Sequence, residues 1–213
     1  MSSKTRLKRR YEKWAIRRGH RIVAGIDESG VGPLAGPVVA AAVILSEHTF
    51  ANRIDDCKRL TSKARLSAYE EILRHCIVNV SVIHHGVIDA INIYNASKLA
   101  MEKAVIGLPL KPDYLLVDGR RELTLPYERR SIIKGDRRCL SIACASIVAK
   151  VWRDRIMERL HELFPCYGFK NHKGYGTAAH FRQLKRYGPS PIHRLSYEPI
   201  RQLLTYRIRR KRK

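Results

Sequence analysis

Four carboxylates stand out for where they fall. Asp27 and Glu28 close an apolar run, Asp118 ends the run YLLV, and Asp136 follows SIIKG. Each lies within two residues of a glycine. Strand ends of an open sheet are where sites assemble. If these strands are neighbours, the four carboxylates converge. A like-charged pair at about 4 Å then costs about 4 kcal/mol at an effective dielectric of about 20. Such a cluster persists only if protonated or holding cations. All-oxygen donors without a His/Cys set favour Mg²⁺ or Mn²⁺. Taken singly, an Asp after a strand is usually a turn or cap residue, so spacing alone leaves both readings open.

The segment around the first pair, GIDESGVGPLAGPVVAAAVIL (25–45), sets four glycines and two prolines between two apolar runs. Adjacent residues of a strand point to opposite faces, so Asp27 and Glu28 share a site only where the strand ends or twists. The following glycines permit that, and let backbone lie close to a ligand.

The elements that must position these acids can be read from apolar periodicity. Strands are expected at Ile22–Asp27, Pro37–Leu45, Cys76–Ile83, Tyr114–Val117 and Ser131–Ile133, the first two too close for anything but an antiparallel hairpin. Helical patterns cover Asp55–His75 and Asp89–Val105. Cys144, Ile147, Val148, Val151, Trp152, Ile156, Leu160 and Leu163 form one stripe of a long helix, ended by Phe164-Pro165. Asn171–Tyr175 reads as a polar loop, Thr177–Tyr187 as a helix capped by Thr177, and Tyr197–Leu204 as a last helix. The order gives an α/β fold, a central mixed β-sheet flanked by helices with a C-terminal helical segment.

The 213 residues divide into a basic N-terminal arm (1–21), a catalytic domain (22–205) and a basic tail (206–213). Net charge is +23. That much charge repels itself unless it meets a polyanion, and nucleic acid is the usual one. Carboxylates, a divalent metal and a basic surface together indicate phosphodiester chemistry. No apolar run is long enough to cross a membrane, and the basic N-terminus lacks the apolar segment of a secretory signal. The five cysteines lack a C-x-x-C pair, so they are expected to be reduced, mostly buried thiols in a cytoplasmic protein.

GIDESGVGPLAGPVVAAAVIL, IDDCKRLTSKAR, INIYNASKLAMEKAV, YLLVDG, IIKGDRRCLSIACASIVAKVWRDRIM and HKGYGTAAHFRQLKRYGPSPIHRLSY together resemble the type 2 ribonuclease H family, its bacterial ribonuclease HII branch. The resemblance runs from about Val23 to Pro199. It implies a ribonuclease H-like fold and a metal-dependent endoribonuclease. Such an enzyme cuts the RNA strand of RNA–DNA hybrids. It also cuts on the 5′ side of single ribonucleotides embedded in duplex DNA, leaving 3′-hydroxyl and 5′-phosphate ends. By motif, Asp27, Glu28, Asp118 and Asp136 are the catalytic and metal-binding acids of a two-metal scheme, with Asp27 the bridging ligand. Tyr175 and the loop Gly30-Val31-Gly32 are implied to read the ribose at the junction, and Lys58 to contact phosphate. Ser146, on the long helix near Asp136, is expected either to bond a phosphate or to back-bond its own helix.

The chain departs from the family pattern at two of these positions. Val31 stands where the family has arginine. The loop keeps backbone N–H and C=O groups to offer the ribose but loses a cation, and valine is strained at positive φ. Cys57 stands where serine is usual. The rival readings are a hybrid-binding relative with junction cleavage weakened by Val31, a nuclease of the same fold without ribose selectivity, and a structural basic protein. His193-Arg194 is expected to be structural. Gln202–Tyr206 loosely resembles a sliding-clamp peptide but reads better as a helix end. A monomer is expected. The absence of a further N-terminal domain before the signature sets the chain apart from the ribonuclease HIII branch.

Overall fold

The computed structural model describes residues 9–211, the side chains of 206–211 excepted. The first eight residues of the expected arm and the side chains of the expected tail lie outside the described residues. Five strands form one mixed sheet: β1 (Val23–Ser29), β2 (Val38–Ile44), β3 (Ile77–Ile83), β4 (Tyr114–Asp118) and β5 (Glu128–Ile132). Their order is β3-β2-β1-β4-β5. β1, β2 and β3 form an antiparallel meander, and β4 and β5 add to β1 in parallel. The C-terminal ends of β1, β4 and β5 thus lie at one edge of the sheet, which is where the acids converge.

β5 starts three residues before its expected position and ends one before. Ile133, expected inside it, is about half exposed. The run Glu128-Arg129-Arg130-Ser131 has no apolar alternation because β5 is an edge strand, wet along most of its length.

The helices are α1 (Arg10–Arg17), α2 (Ser62–His75), α3 (His85–Ile106), α4 (Leu140–Leu163), α5 (Phe169–His172), α6 (Ala178–Tyr187) and α7 (Glu198–Lys211). α2 begins seven residues later than the pattern suggested, where Thr61 accepts the amide of Ala64 as an N-cap. α3 begins earlier than expected and breaks at Asn92, whose φ is 64°. The expected loop at Asn171–Tyr175 starts inside α5. Thr177 caps α6 by accepting the amide of His180, as the sequence indicates. Among the described residues no helix is long and apolar enough to cross a membrane.

α4 covers one face of the sheet and α3 the other. The expected single stripe on α4 is only half right. Its first ten residues, Leu140–Ala149, are all buried, whereas Trp152 (40 % exposed) and Leu163 (71 %) face solvent. A helix apolar all round is one packed all round. α4 begins between β1, α1 and the loop after β2, and only its second half reaches the surface. It approaches the sheet closely because Gly25 and Ala41, which face it, present almost no side chain, while Ala40 and Ala42 face α3.

The arm is not a free appendage over its described length. Glu12 of α1 is buried, and its Oε1 accepts from the amide (2.8 Å) and hydroxyl (2.8 Å) of Ser141 and from the thiol of Cys139. A carboxylate from a distant helix thus caps the first turn of α4, where the helix dipole favours negative charge.

Candidate active site

The converging strand ends open into a cleft of about 620 Å³ lined by Asp27, Glu28, Asp118 and Asp136, the 29–32 loop, Cys57, Lys58, Ser146, Lys150 and Tyr175. Every residue singled out in the sequence for the site lies on this cleft.

β1 does not end at the acid pair but runs on to Ser29, with Asp27 opposite Ala41 and Glu28 opposite Ala40. The pair therefore serves the cleft from opposite sides of one strand. Asp27 lies toward α4, where the Ser146 hydroxyl favours its ionised form. Glu28 lies toward α3, facing Arg121 at 3.4 Å. Asp118, the last residue of β4, accepts the amide of Gly135 at 2.6 Å, which ties it to the turn that carries Asp136.

A residue that the sequence did not single out completes this wall. Asp56 is fully buried; it accepts the amide of Lys58 and the guanidinium of Arg137, each at 2.9 Å. It joins the Lys58 loop to the Asp136 turn. The signal was the doublet Asp55-Asp56 beside Lys58. Ser146 donates to the Cys57 thiol at 3.3 Å, so the serine and the cysteine pack as a pair beside Asp27.

All four carboxyls are pushed up from their ordinary values, Asp27 well above. For Asp27, burial is the main cause, then the charges of Glu28 and Asp118. Burial also dominates at Glu28, Asp118 and Asp136, with Arg121 opposing the rise at Glu28. Glu28 Oε2 is buried without a hydrogen-bond partner. Crowded carboxylates with a bare oxygen fit a hard divalent cation. Among the described residues no three His, Cys, Asp or Glu side chains cage an ion by themselves.

The glycine loop is held from beneath by two fully buried arginines. Arg194 donates to the carbonyls of Gly30, Val31, Gly36 and Pro37. Arg153 donates to those of Ala35, Pro37 and Lys173, the last from the Tyr175 loop. The Val31 carbonyl also accepts the Tyr197 hydroxyl at 2.7 Å. The expectation that loop carbonyls remain free for a ribose is therefore corrected: those of Gly30 and Val31 are turned inward. The amides of Val31 and Gly32 have no partner among the described residues and remain for a ligand. The strain expected at Val31 is also absent, since the positive φ falls on Gly30 (+100°), where a Cβ would lie 2.2 Å from Arg153 Nε.

Tyr175 is 41 % exposed at the rim and is no core aromatic. A line of imidazoles holds its backbone. Ser190 N–H donates to His193 Nδ1 (2.8 Å), which leaves His193 Nε2–H to donate to His180 Nε2 (3.0 Å). His180 Nδ1–H then donates to the Tyr175 carbonyl (2.9 Å). His193 is thus structural, as expected, and Arg194 buttresses the glycine loop.

The chain works only with neutral rings, and burial pushes His180 down to about 4 and His193 to about 3. Their contribution to stability is full above the unfolded value of about 6.5 and is lost as pH falls toward those values. Between about pH 7 and about pH 4.5, His180 alone should raise the unfolding constant by about tenfold or more. His180→Asn keeps a donor for Tyr175 without the titration, and should flatten this decline in urea unfolding. An identical decline in the variant would refute the assignment.

A cleft of hard oxygen donors at the carboxyl ends of β1 and β4, on a sheet of this order, defines a class: the ribonuclease H hydrolases. The fold matches the ribonuclease H2 structure from Pyrococcus horikoshii OT3 with a TM-score of 0.75 at 25 % identity, covering 89 % of this chain and 99 % of that one. It also matches ribonuclease HII in a structure of its complex with PCNA from Archaeoglobus fulgidus (TM-score 0.68, 26 % identity, 84 % and 96 % covered). The ribonuclease HII of Enterococcus faecalis is 49 % identical over 195 residues, 91 % of this chain and 76 % of that protein. Residues 24–200 match the Ribonuclease HII family model, and the chain belongs to that family, whose members cleave RNA in RNA–DNA hybrids.

Proposed function

We infer that the protein cuts both the RNA strand of hybrids and the 5′ side of single ribonucleotides in duplex DNA, leaving 3′-hydroxyl and 5′-phosphate ends. The observation that carries this is the cleft itself. Four carboxylates, two free loop amides and an exposed tyrosine face one space of about 620 Å³. Asp27, Glu28, Asp118 and Asp136 would hold two Mg²⁺ or Mn²⁺ ions, which supply charge to polarise the scissile phosphate and acidify the attacking water.

The chain's own residues do the rest. The amides of Val31 and Gly32 bond the ribose hydroxyl, and Tyr175 packs against the sugar beside it. Lys58, whose amide is fixed by Asp56, meets the phosphate. Ser146, bonded to the Cys57 thiol, lies beside Asp27 and favours its ionised form. Val31 is tolerated in this reading because the loop is shaped from below by Arg153 and Arg194 and not by the side chain at position 31. A clamp contact through Gln202–Tyr206 is less favoured, since Leu204 packs onto the core cluster of Phe169 and Ile200.

End-labelled duplexes test this directly: one with a single ribonucleotide, one RNA–DNA hybrid and one all-DNA, each in Mg²⁺ and in Mn²⁺. The expected result is one cut 5′ of the ribonucleotide, cutting of the hybrid, and none of the all-DNA duplex. Cutting of the hybrid alone would favour the alternative in which Val31 has weakened junction reading.

A further inference from the structure

Beside the cleft, arginines and aromatic rings alternate along the surface. Arg138 lies over Tyr11 (5.7 Å from guanidinium carbon to ring centroid), and Arg130 lies over both Tyr11 (5.4 Å) and Trp14 (4.7 Å). Arg18 lies over Trp14 at 5.0 Å. We propose that this strip, Arg138-Arg130-Arg18 on the rings of Tyr11 and Trp14, binds the phosphodiester backbone of the duplex as it leaves the cleft. The proposal rests on the function inferred above and adds a contact surface outside the cleft.

The strip is built. Tyr11 and Trp14 pack on the core cluster of Ala15, Tyr114, Leu116 and Ile142. α1 is fastened to α4 through Glu12. Stacking on a ring uses the flat face of a guanidinium and leaves its N–H edge free, and that edge matches phosphate oxygens. None of the three arginines is ion-paired among the described residues, and only Arg138 spends part of its edge, one Nη1 hydrogen on the Ile133 carbonyl at 3.3 Å. The exposed acid on the same strand, Glu128, is engaged with His20 at 3.3 Å.

The strip is also continuous with the site. Arg138 is two residues beyond Asp136. The ring contacts cap its end-to-end length at ~21 Å, so it spans at most about six phosphates of one strand at 3.4 Å of helix axis each. A polyanion with regularly spaced charges is the occupant that three ordered, unpaired guanidinia fit.

The test uses the full chain carrying Asp27→Asn, so that binding is read without cutting. Anisotropy titrations over a range of salt would use a ribonucleotide-containing duplex with two long arms, and versions with either arm trimmed to a few base pairs. Adding Arg18→Gln, Arg130→Gln and Arg138→Gln should lower the slope of log K against log salt by about two to three and weaken long-arm binding by about tenfold or more. The loss should vanish when one particular arm is trimmed and persist when the other is. The three Lys substitutions, which keep the charge, should restore most of the slope, and thermal unfolding checks that each variant is folded.

An unchanged slope, or a loss indifferent to which arm is trimmed, would overturn the proposal. Failure of the unsubstituted chain to cut the ribonucleotide duplex would instead remove the inferred function. An unchanged slope in a chain that cuts would remove the strip alone.

Discussion

Asp27→Asn should abolish cleavage while making the metal-free protein harder to unfold. The two effects share one cause. Asp27 is buried, and its carboxyl is pushed well above the usual range by that burial and then by the charges of Glu28 and Asp118. A carboxyl whose folded pKa exceeds its unfolded one destabilises the fold as it ionises: its contribution is favourable at low pH and is lost as pH rises through the folded pKa. Above the unfolded value, without a divalent cation, burying this carboxyl is a cost that asparagine removes at nearly equal volume. The same charge is what a cation would be held by, and losing it should cost several kcal/mol of transition-state stabilisation, about a thousandfold or more in rate. Urea unfolding in EDTA should therefore show the variant more stable than the wild type. Added Mn²⁺ should stabilise the wild type more than the variant, because only binding to the folded state raises stability. A variant that unfolds more readily in EDTA would mean that the carboxylate is a structural acceptor. One that keeps a tenth of the activity would remove Asp27 from the metal site.

The four acids were legible because each interrupts or ends an apolar run, and strand ends are found by periodicity. Tyr175 was legible because its neighbours Lys173, Gly174 and Gly176 are not core residues. The sequence did not reveal the machinery beneath the loops. Arginine is almost never fully buried, so nothing in composition suggests that Arg153 and Arg194 lie at 0 % exposure against backbone carbonyls. Arg153 left a faint trace, seven residues after Ser146 and four before Met157, on one face of α4. Asp56 was hidden by its neighbour in a doublet that reads as surface charge. The backbone angle at Val31 could not be anticipated, because it is fixed by Arg194 and Tyr197 from far along the chain. β5 was misplaced for a related reason. An edge strand made of Glu, Arg and Ser has no periodicity of its own and exists because β4 offers it a parallel partner.

Gly25→Ala should be among the most damaging small substitutions in the chain. β1 is locked between β2 and β4, and α4 crosses directly over it. A Cβ on Gly25 would lie 2.3 Å from the carbonyl carbon of Ser141 and 2.5 Å from the amide of Ile142. Both are backbone atoms, so no rotamer change relieves the clash, and strand and helix must part by ~1 Å. The first turn of α4 cannot tilt away freely, because Ser141 is the residue that Glu12 caps. Overpacking of this kind costs about 3 kcal/mol or more, which in a protein of this size is a fall in Tm of about 10 °C. Activity should fall as well, since Asp27 lies two residues along the displaced strand and Ser146 on the displaced helix. A misplacement of about 1 Å costs on the order of a hundredfold in rate. Gly86→Ala is the matched control: it lies in the first turn of α3 with nothing within 4 Å of the added carbon, and should be neutral or stabilising by up to about 1 kcal/mol. Thermal unfolding and hybrid cleavage of the two variants decide it. If Gly25→Ala unfolds like Gly86→Ala, the close contact of β1 with α4 is not what positions Asp27, and the acid must be placed instead by its ladder to Ala41.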